Sequence, residues 1–135
     1  MEIGNKKLRQ EYINGKKHGL DEAWHENGQK FSSEPYKNGE LHGLREVWYP
    51  NGQKWASGHF VNGKHEGLHE SWHDNGEMQA STNYKNGQKE GLRETWYPDG
   101  QKKTSGHYKD NVRHGLHDSW DHNGKRSCAW FLDKQ

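Results

Sequence analysis

Cysteine, proline and aliphatic side chains are all scarce in this 135-residue chain. The single cysteine, Cys128, excludes an internal disulfide framework and gives no sign of an oxidising compartment. No apolar run is long enough to span a bilayer, and the opening Met1-Glu-Ile-Gly-Asn-Lys-Lys7 lacks the apolar stretch of a signal peptide. The expected location is therefore the cytoplasm, and no membrane partner is expected. An excess of one charge is missing too. The 20 Lys and Arg face 19 Asp and Glu, which is neither the basic surplus of a nucleic-acid binder nor the acidic surplus of a mimic. Leu, Ile, Val and Phe number only 16, below the level at which disorder becomes the default reading. Disorder also requires high net charge and few aromatics. Here the charges cancel and 16 Trp, Tyr and Phe recur at fixed spacing, so the chain reads as folded around a thin aromatic core shared by neighbouring units.

What is present is repetition. A 24-residue unit starts at Tyr12, Tyr36, Phe60, Tyr84 and Tyr108, read without insertions, and self-similarity at such a period marks a repeat architecture. The expected organisation is one array over 1–135: a half repeat or cap at 5–12, repeats at 12–35, 36–59, 60–83, 84–107 and 108–131, and a closing cap at 125–135. Each unit carries two turn signals. One is Asn14-Gly15, Asn38-Gly39, Asn62-Gly63, Asn86-Gly87 and Asp110-Asn111; the other is Asn27-Gly28, Asn51-Gly52, Asn75-Gly76, Asp99-Gly100 and Asn123-Gly124. Such pairs accept positive φ cheaply, as tight hairpins require. Ten signals about twelve residues apart predict eleven short strands in a single elongated antiparallel meander, an all-β fold. A further glycine in each unit (Gly19, Gly43, Gly67, Gly91, Gly115) marks a bulge or a close backbone approach.

After that glycine comes Leu-x-Glu-x-Trp, as in Leu44/Glu46/Trp48, and period two puts all three on one face. Trp and Leu then form two apolar ladders, and the Tyr/Phe column a third. Whether the Trp and Tyr ladders share a face depends on a one-residue parity that the sequence leaves open. Units two and four resemble each other more than their neighbours, through Gly43-Leu-Arg-Glu-Val-Trp-Tyr-Pro-Asn-Gly52 and Gly91-Leu-Arg-Glu-Thr-Trp-Tyr-Pro-Asp-Gly100. A 48-residue period follows, caused either by duplication of a two-repeat ancestor or by paired binding spots.

The pattern Tyr-x-Asn-Gly-x-x-His-Gly-Leu followed by Trp-Tyr-x-Asn-Gly-Gln-Lys resembles the bacterial variant of the MORN repeat, over about Asn5 to Trp130. The resemblance implies an elongated, twisted, antiparallel β array without catalytic residues. Eukaryotic members of that superfamily scaffold protein complexes and have been linked to membrane lipids; bacterial ones are often described as antitoxins. This chain has Leu-x-Glu where the eukaryotic repeat has Gly-x-Gly.

Chemistry-bearing residues are numerous but regular. His69 and His73 share a strand face yet lie about 13 Å apart, too far for one zinc ion. The Glu22, Glu46, Glu70, Glu94 and Asp118 column reads as structural, accepting bonds from turn amides or a nearby Lys or Arg. Neither an enzyme nor a metal or other cofactor is expected. Lys16, Lys17, Lys64 and Lys89 read as a solvated edge, since Glu40, Glu66 and Glu90 interrupt them. Phe31 and Trp55 stand out because their column also holds Gln79 and Lys103. Two aromatics at an otherwise polar position are either an interface hot spot or side chains buried by local twist.

The leading expectation is a non-catalytic protein that binds another protein, as an antitoxin, immunity protein or inhibitor. Phe31, Trp55, Tyr49, Arg45 and His59 are the expected contacts, with Tyr97, Arg93 and His107 as their 48-residue equivalents. The alternatives are small-ligand or lipid binding on the aromatic and Lys-lined surface, and a self-associating scaffold. Homodimer formation would use the apolar last strand through Trp130, Phe131 and Leu132.

Overall fold

The computed structural model describes residues 7–132. Asn5 and Lys6 of the expected opening half repeat, and residues 133–135 of the closing cap, lie outside the described residues. Fourteen strands and no helix are formed among the described residues. They are β1 (Lys7–Arg9), β2 (Tyr12–Ile13), β3 (Lys16–Lys17), β4 (Gly19–Trp24), β5 (Lys30–Lys37), β6 (Glu40–Leu41) and β7 (Gly43–Trp48). The rest are β8 (Lys54–Val61), β9 (Lys64–Trp72), β10 (Met78–Lys85), β11 (Gln88–Trp96), β12 (Lys102–Lys109), β13 (Val112–Trp120) and β14 (Arg126–Phe131). Eleven of them follow one another as an antiparallel meander, β1-β4-β5-β7-β8-β9-β10-β11-β12-β13-β14. The short β6 extends the β5–β7 hairpin, and β2–β3 form a separate small ladder. The eleven-strand meander read from the turn signals is the observed path.

Two kinds of turn alternate. At Asn14, Asn38, Asn62 and Asn86 φ is 50–53°, and the following glycines have φ of 79–84°. These are two-residue hairpin turns with both central residues left-handed, which suit the right-handed twist of the flanking strands. Asp110 and Asn111 keep the same geometry without glycine. At the opposite rim the turn spans one residue more. Gly52 N–H donates to Tyr49 O, Tyr49 N–H donates to Gln53 O, and the Asn51 carboxamide oxygen accepts from Gln53 N–H.

Pairing registers settle the parity. Leu44, Glu46 and Trp48 pair with His59, Ser57 and Lys54, while Arg45, Val47 and Gly43 pair with Gly58, Ala56 and Phe60. Side chains of paired residues share a face, so the Trp/Leu/Glu columns and the Tyr/Phe column lie on opposite faces. A bulge beside each Trp, as between Val47 and Trp48, supplies the extra residue. The last hairpin has no such bulge: Trp120 pairs with Arg126, Leu116 with Trp130 and Gly115 with Phe131 in unbroken register. The uninterrupted 24-residue alignment therefore ends one residue early, and Phe131 rather than Leu132 enters the Tyr/Phe column.

The array is thin. A compact protein of this mass exposes about 7,300 Å², against 8960 Å² here, and no side chain among the described residues is fully buried. The buried set (Ala23, Val47, Phe60, Asp21, Ser32, Thr82) lies entirely on the Tyr face. The expected Leu ladder is not buried; Leu20, Leu44, Leu68 and Leu116 are all exposed. Single-layer geometry leaves them nothing to pack beneath. The Trp column is instead roofed by lysine. Lys30, Lys54 and Lys102 lie 5.0–5.3 Å from the ring centroids of Trp24, Trp48 and Trp96. Each ammonium is ion-paired with Glu22, Glu46 or Glu94, and Arg126 pairs with Asp118 in the same way. The hydrogen bond from Lys30 is the main reason the Glu22 carboxyl sits below its ordinary pKa. The carboxylate column is structural, as its regularity implied.

Met78 stands opposite Trp72 where the other repeats place the cation, so Glu70 has no lysine across from it. Met78→Lys should raise stability by about 0.5 kcal/mol, the worth of a partly exposed ion pair and a cation–π contact. A higher urea midpoint at unchanged slope would show it. A lower midpoint would mean that the lysine rows do not stabilise the Trp face.

Candidate binding trough

The Tyr face is organised in rows that run across the strands. Its floor is made of small paired residues: Ala23 with Ser32, Val47 with Ala56, Ser71 with Ala80, Thr95 with Thr104 and Ser119 with Ser127. Along one side stand Tyr36, Phe60, Tyr84, Tyr108 and Phe131. Small residues between rows of large ones leave a trough. Three clefts open in it, of about 230 Å³ between Arg45 and Tyr84, about 440 Å³ between His73 and Lys103, and about 320 Å³ between Arg93 and Phe131.

The other side is built by the residue after the Trp in the first four repeats; after Trp120 stands Asp121, whose carboxylate accepts from the Asn123 and Lys125 amides of its own turn. Tyr49 and Tyr97 donate their hydroxyls to the carbonyls of Trp72 and Trp120, each at 2.7 Å. His25 and His73 do the same with Nε2–H toward Trp48 and Trp96, at 2.8 and 2.9 Å. Tyr and His alternate because either reaches the next repeat with a donor. The bulged residue packs on this one. The Trp55 ring stacks on Tyr49 at 4.8 Å with planes 12° apart, Phe31 meets the His25 ring edge-on at 4.8 Å, and the Lys103 ammonium lies 5.5 Å from the Tyr97 centroid. Gln79 and Lys103 share a cleft with Ser71, Ala80 and Thr95, which places the column on the trough side. The variability of the Phe31/Trp55 column follows, since its side chain lies on the rim. Trp55 is 42% exposed and Phe31 half-buried.

Between floor and aromatic row runs the column Asp21, Arg45, His69, Arg93 and His117. His69 donates from Nε2–H to His59 O, and His117 to His107 O, both at 2.7 Å. Each ring lies against a glycine. A Cβ on Gly58 would fall 2.2 Å from the His69 ring, and one on Gly106 at 2.2 Å from that of His117. Neither glycine has positive φ, so the requirement is for space, not for backbone freedom. His69 sits in an aromatic cluster with Phe60, His65 and Tyr84, at centroid distances of 4.6–5.2 Å. Burial pulls the His65 and His69 pKa values below the ordinary imidazole value, with Arg45 adding repulsion.

The structure separates the expected contact residues by face. Phe31, Trp55, Tyr49, Arg45, Tyr97 and Arg93 border the trough. His59 and His107 pair with Leu44 and Leu92 on the Trp face, and only their carbonyls touch the trough residues. Of the expected self-association residues, Phe131 closes the aromatic row with Arg113 above its ring at 5.3 Å. Trp130 (65% exposed) and Leu132 (75% exposed) stay in solvent. Among the described residues, no three His, Cys, Asp or Glu side chains gather closely enough to hold a metal ion. Sequence reasoning weighed His69 only as a zinc ligand and did not single out His117, so their place in the trough was missed. The available signal was Gly58 and Gly106, 48 residues apart, where the alternate units have Glu34 and Thr82.

Gly58→Ala should cost about 1–3 kcal/mol, the range for forcing a methyl into a filled site. Combining it with His69→Ala should recover most of that loss in a double-mutant cycle read by urea unfolding. Additive losses would mean that the ring does not need the glycine.

Comparison with known proteins agrees with this architecture. No curated protein matches the chain. A crystal structure of accessory secretory protein 1, 2 and 3 in Streptococcus pneumoniae aligns over 83% of this chain and 18% of that one, at 16% identity and a TM-score of 0.28. The chain thus spans less than a fifth of that protein, and the likeness is too weak to bear on the fold or the function. The family described as MORN repeat variant matches at residues 17–38, 41–62, 66–86 and 89–110, about two-thirds of the chain. The last unit, whose hairpin lacks the bulge, lies outside these segments. With four matched units in the phase of the observed hairpins, the chain belongs to the MORN repeat variant family.

Proposed function

We propose that this repeat protein binds a segment of a partner protein in the trough of its Tyr face and performs no catalysis. The observation that carries this reading is the trough itself, a small-residue floor between an aromatic row and a second side of His25, Tyr49, His73 and Tyr97. Aromatic side chains that are half-exposed and held by their neighbours suit protein contact, because little further entropy is lost when a partner covers them. The rim is rigid for the same reason: Tyr49 and Tyr97 are tied to the following repeat. The specific role we propose is that of an antitoxin, immunity protein or inhibitor, which needs a preformed surface and no reactive group. We place it in the cytoplasm, where the exposed thiol of Cys128 stays reduced.

The test is affinity capture from the source cells, with native mass spectrometry of the eluate. Trp55→Ala and Arg45→Ala should each lower the yield of a stoichiometric protein partner at least tenfold, with circular dichroism unchanged. His59→Ala and His107→Ala, on the opposite face, should leave the yield intact. The reverse pattern would move the interface to the Trp face. A bound small molecule or lipid without protein would replace protein binding with ligand binding.

A second reading rests on β14, the last strand of the sheet, whose outer edge has no pairing partner among the described residues. With Trp130 and Leu132 exposed beside it, β14 offers an edge for a second copy of the chain. This reading gives a concentration-dependent mass of twice 15.8 kDa that is lost in Trp130→Ser. A monomer at all concentrations would refute it.

A further inference from the structure

The 48-residue period places the same arrangement in the trough twice, and the two copies differ in charge. Arg45 pairs with Gly58 as Arg93 pairs with Gly106, His69 lies over the first glycine as His117 lies over the second, and Phe60 corresponds to Tyr108. In the first copy the Glu34 carboxylate, from the preceding strand, accepts from Arg45 Nε at 2.6 Å. In the second copy the residue across from Arg93 on that strand is Thr82, buried and uncharged. His65 of the first copy is replaced by Arg113, set over the Phe131 ring. Arg93 also lines the neighbouring cleft together with Lys103.

The carboxylates nearest in sequence are already engaged elsewhere. Asp118 lies on the opposite face and is bonded to Arg126 at 2.7 and 2.8 Å. Glu94, also on the opposite face, is ion-paired with Lys102, and Glu90 accepts from the Asp110 amide at 3.1 Å. At the other end of the trough the charges are matched internally, since Asp21 is bonded to Lys17 at 3.1 Å and Glu34 to Arg45. Among the described residues, cations of this face without an ion-pair partner gather toward one end, at Lys89 (5.0 Å from the Tyr108 ring centroid), Arg93, Lys103 and Arg113.

We propose that the Arg93–Arg113 end of the trough binds a carboxylate side chain, so that the partner segment is acidic where it crosses β11 to β13. The inference rests on the trough being the protein-binding surface and adds the charge and direction of what lies in it. Glu34 on Arg45 shows, inside this molecule, how a carboxylate sits on the equivalent guanidinium. Arginine suits the task because its planar donors match a carboxylate and its hydration is weak. The aromatic rings of Tyr108 and Phe131 flank the site and limit the water that would screen the pair. The matched end offers no such vacancy, so an acidic segment has one preferred orientation.

The probe is a fluorescein-labelled dodecapeptide of alternating Glu and Ala, with a Lys and Ala peptide as the control, titrated with the full chain by fluorescence polarisation. The Glu peptide should bind and the Lys peptide should not. Arg93→Gln should weaken binding about tenfold or more, the worth of one charge-assisted contact. Thr82→Glu, which supplies the missing carboxylate from within, should weaken it similarly while Arg93 stays in place. Glu34→Thr should free Arg45 and strengthen it. Equal affinity for the two peptides, no binding of the Glu peptide, or insensitivity to Arg93→Gln in a folded variant would each overturn the proposal. If the peptide fails while Trp55→Ala still loses the captured partner, only the acidic assignment falls. If the peptide binds through Arg93 while trough variants keep the captured partner, the protein-binding reading falls and the anion site stands.

Discussion

A single sheet has two faces and no second layer, and everything else in this molecule answers to that constraint. Folding buries few large side chains here, Phe60 among them, so cohesion has to come from each repeat fastening to the next. It does so at both rims. On one rim, Gly39, Gly63 and Gly87 donate their amides to the carbonyls of Lys17, Leu41 and His65 in the repeat before. On the other, Asn27, Asn51 and Asn75 donate carboxamide N–H to the carbonyls of Pro50, Asp74 and Pro98, beside the Tyr and His bonds to the Trp carbonyls. Turns are usually the loosest part of a hairpin. In this array they act as its seams, which explains why their Asn and Gly change so little from repeat to repeat.

The two faces solve their exposure differently. The Trp face is shielded by its own cations, with lysine stems over the indoles and ammonium groups locked to the Glu column. That covering is made at Trp24, Trp48 and Trp96 from within the chain and is interrupted at Trp72, where Met78 replaces the lysine. The Tyr face is left open, with small residues along the middle and rings on either side. A partner there would gain contact with aromatic surface that the chain has already desolvated in part. Division of labour between the faces follows from the pairing register, with a bulge beside each Trp from Trp24 to Trp96, which sets Trp and Tyr on opposite sides.

Much of the fold was legible because the repeat states its own punctuation. Ten turn pairs fixed the strand count, and Leu-x-Glu-x-Trp fixed one face. The parity between Trp and Tyr was not legible, since a bulge adds a residue that looks no different from any other. That Phe131 joins the Tyr/Phe column was not legible for a related reason: dropping that bulge in the last hairpin shifts the register by one while the letters still align. His59 and His107 were grouped with Arg45 and Arg93 by neighbourhood in sequence, whereas an odd separation across the hairpin sends them to the other face. His69 was weighed only as a zinc ligand beside His73, and His117 was not singled out among the eleven histidines. Only the glycine each ring requires sets them apart.

The reach of the rim bonds has a consequence for how the chain is made. The side-chain hydrogen bonds described here that join one repeat to the next span at most 23 residues of sequence. Sheet pairings join neighbouring strands only. A repeat emerging from the ribosome therefore finds the His, Tyr and Asn donors of the one before it already in place, and its own rim donors wait only for the next repeat. Short-range contacts of this kind keep the entropy of loop closure small at each step. The growing end is always a bare strand, so the hazard during synthesis is confined to one moving edge.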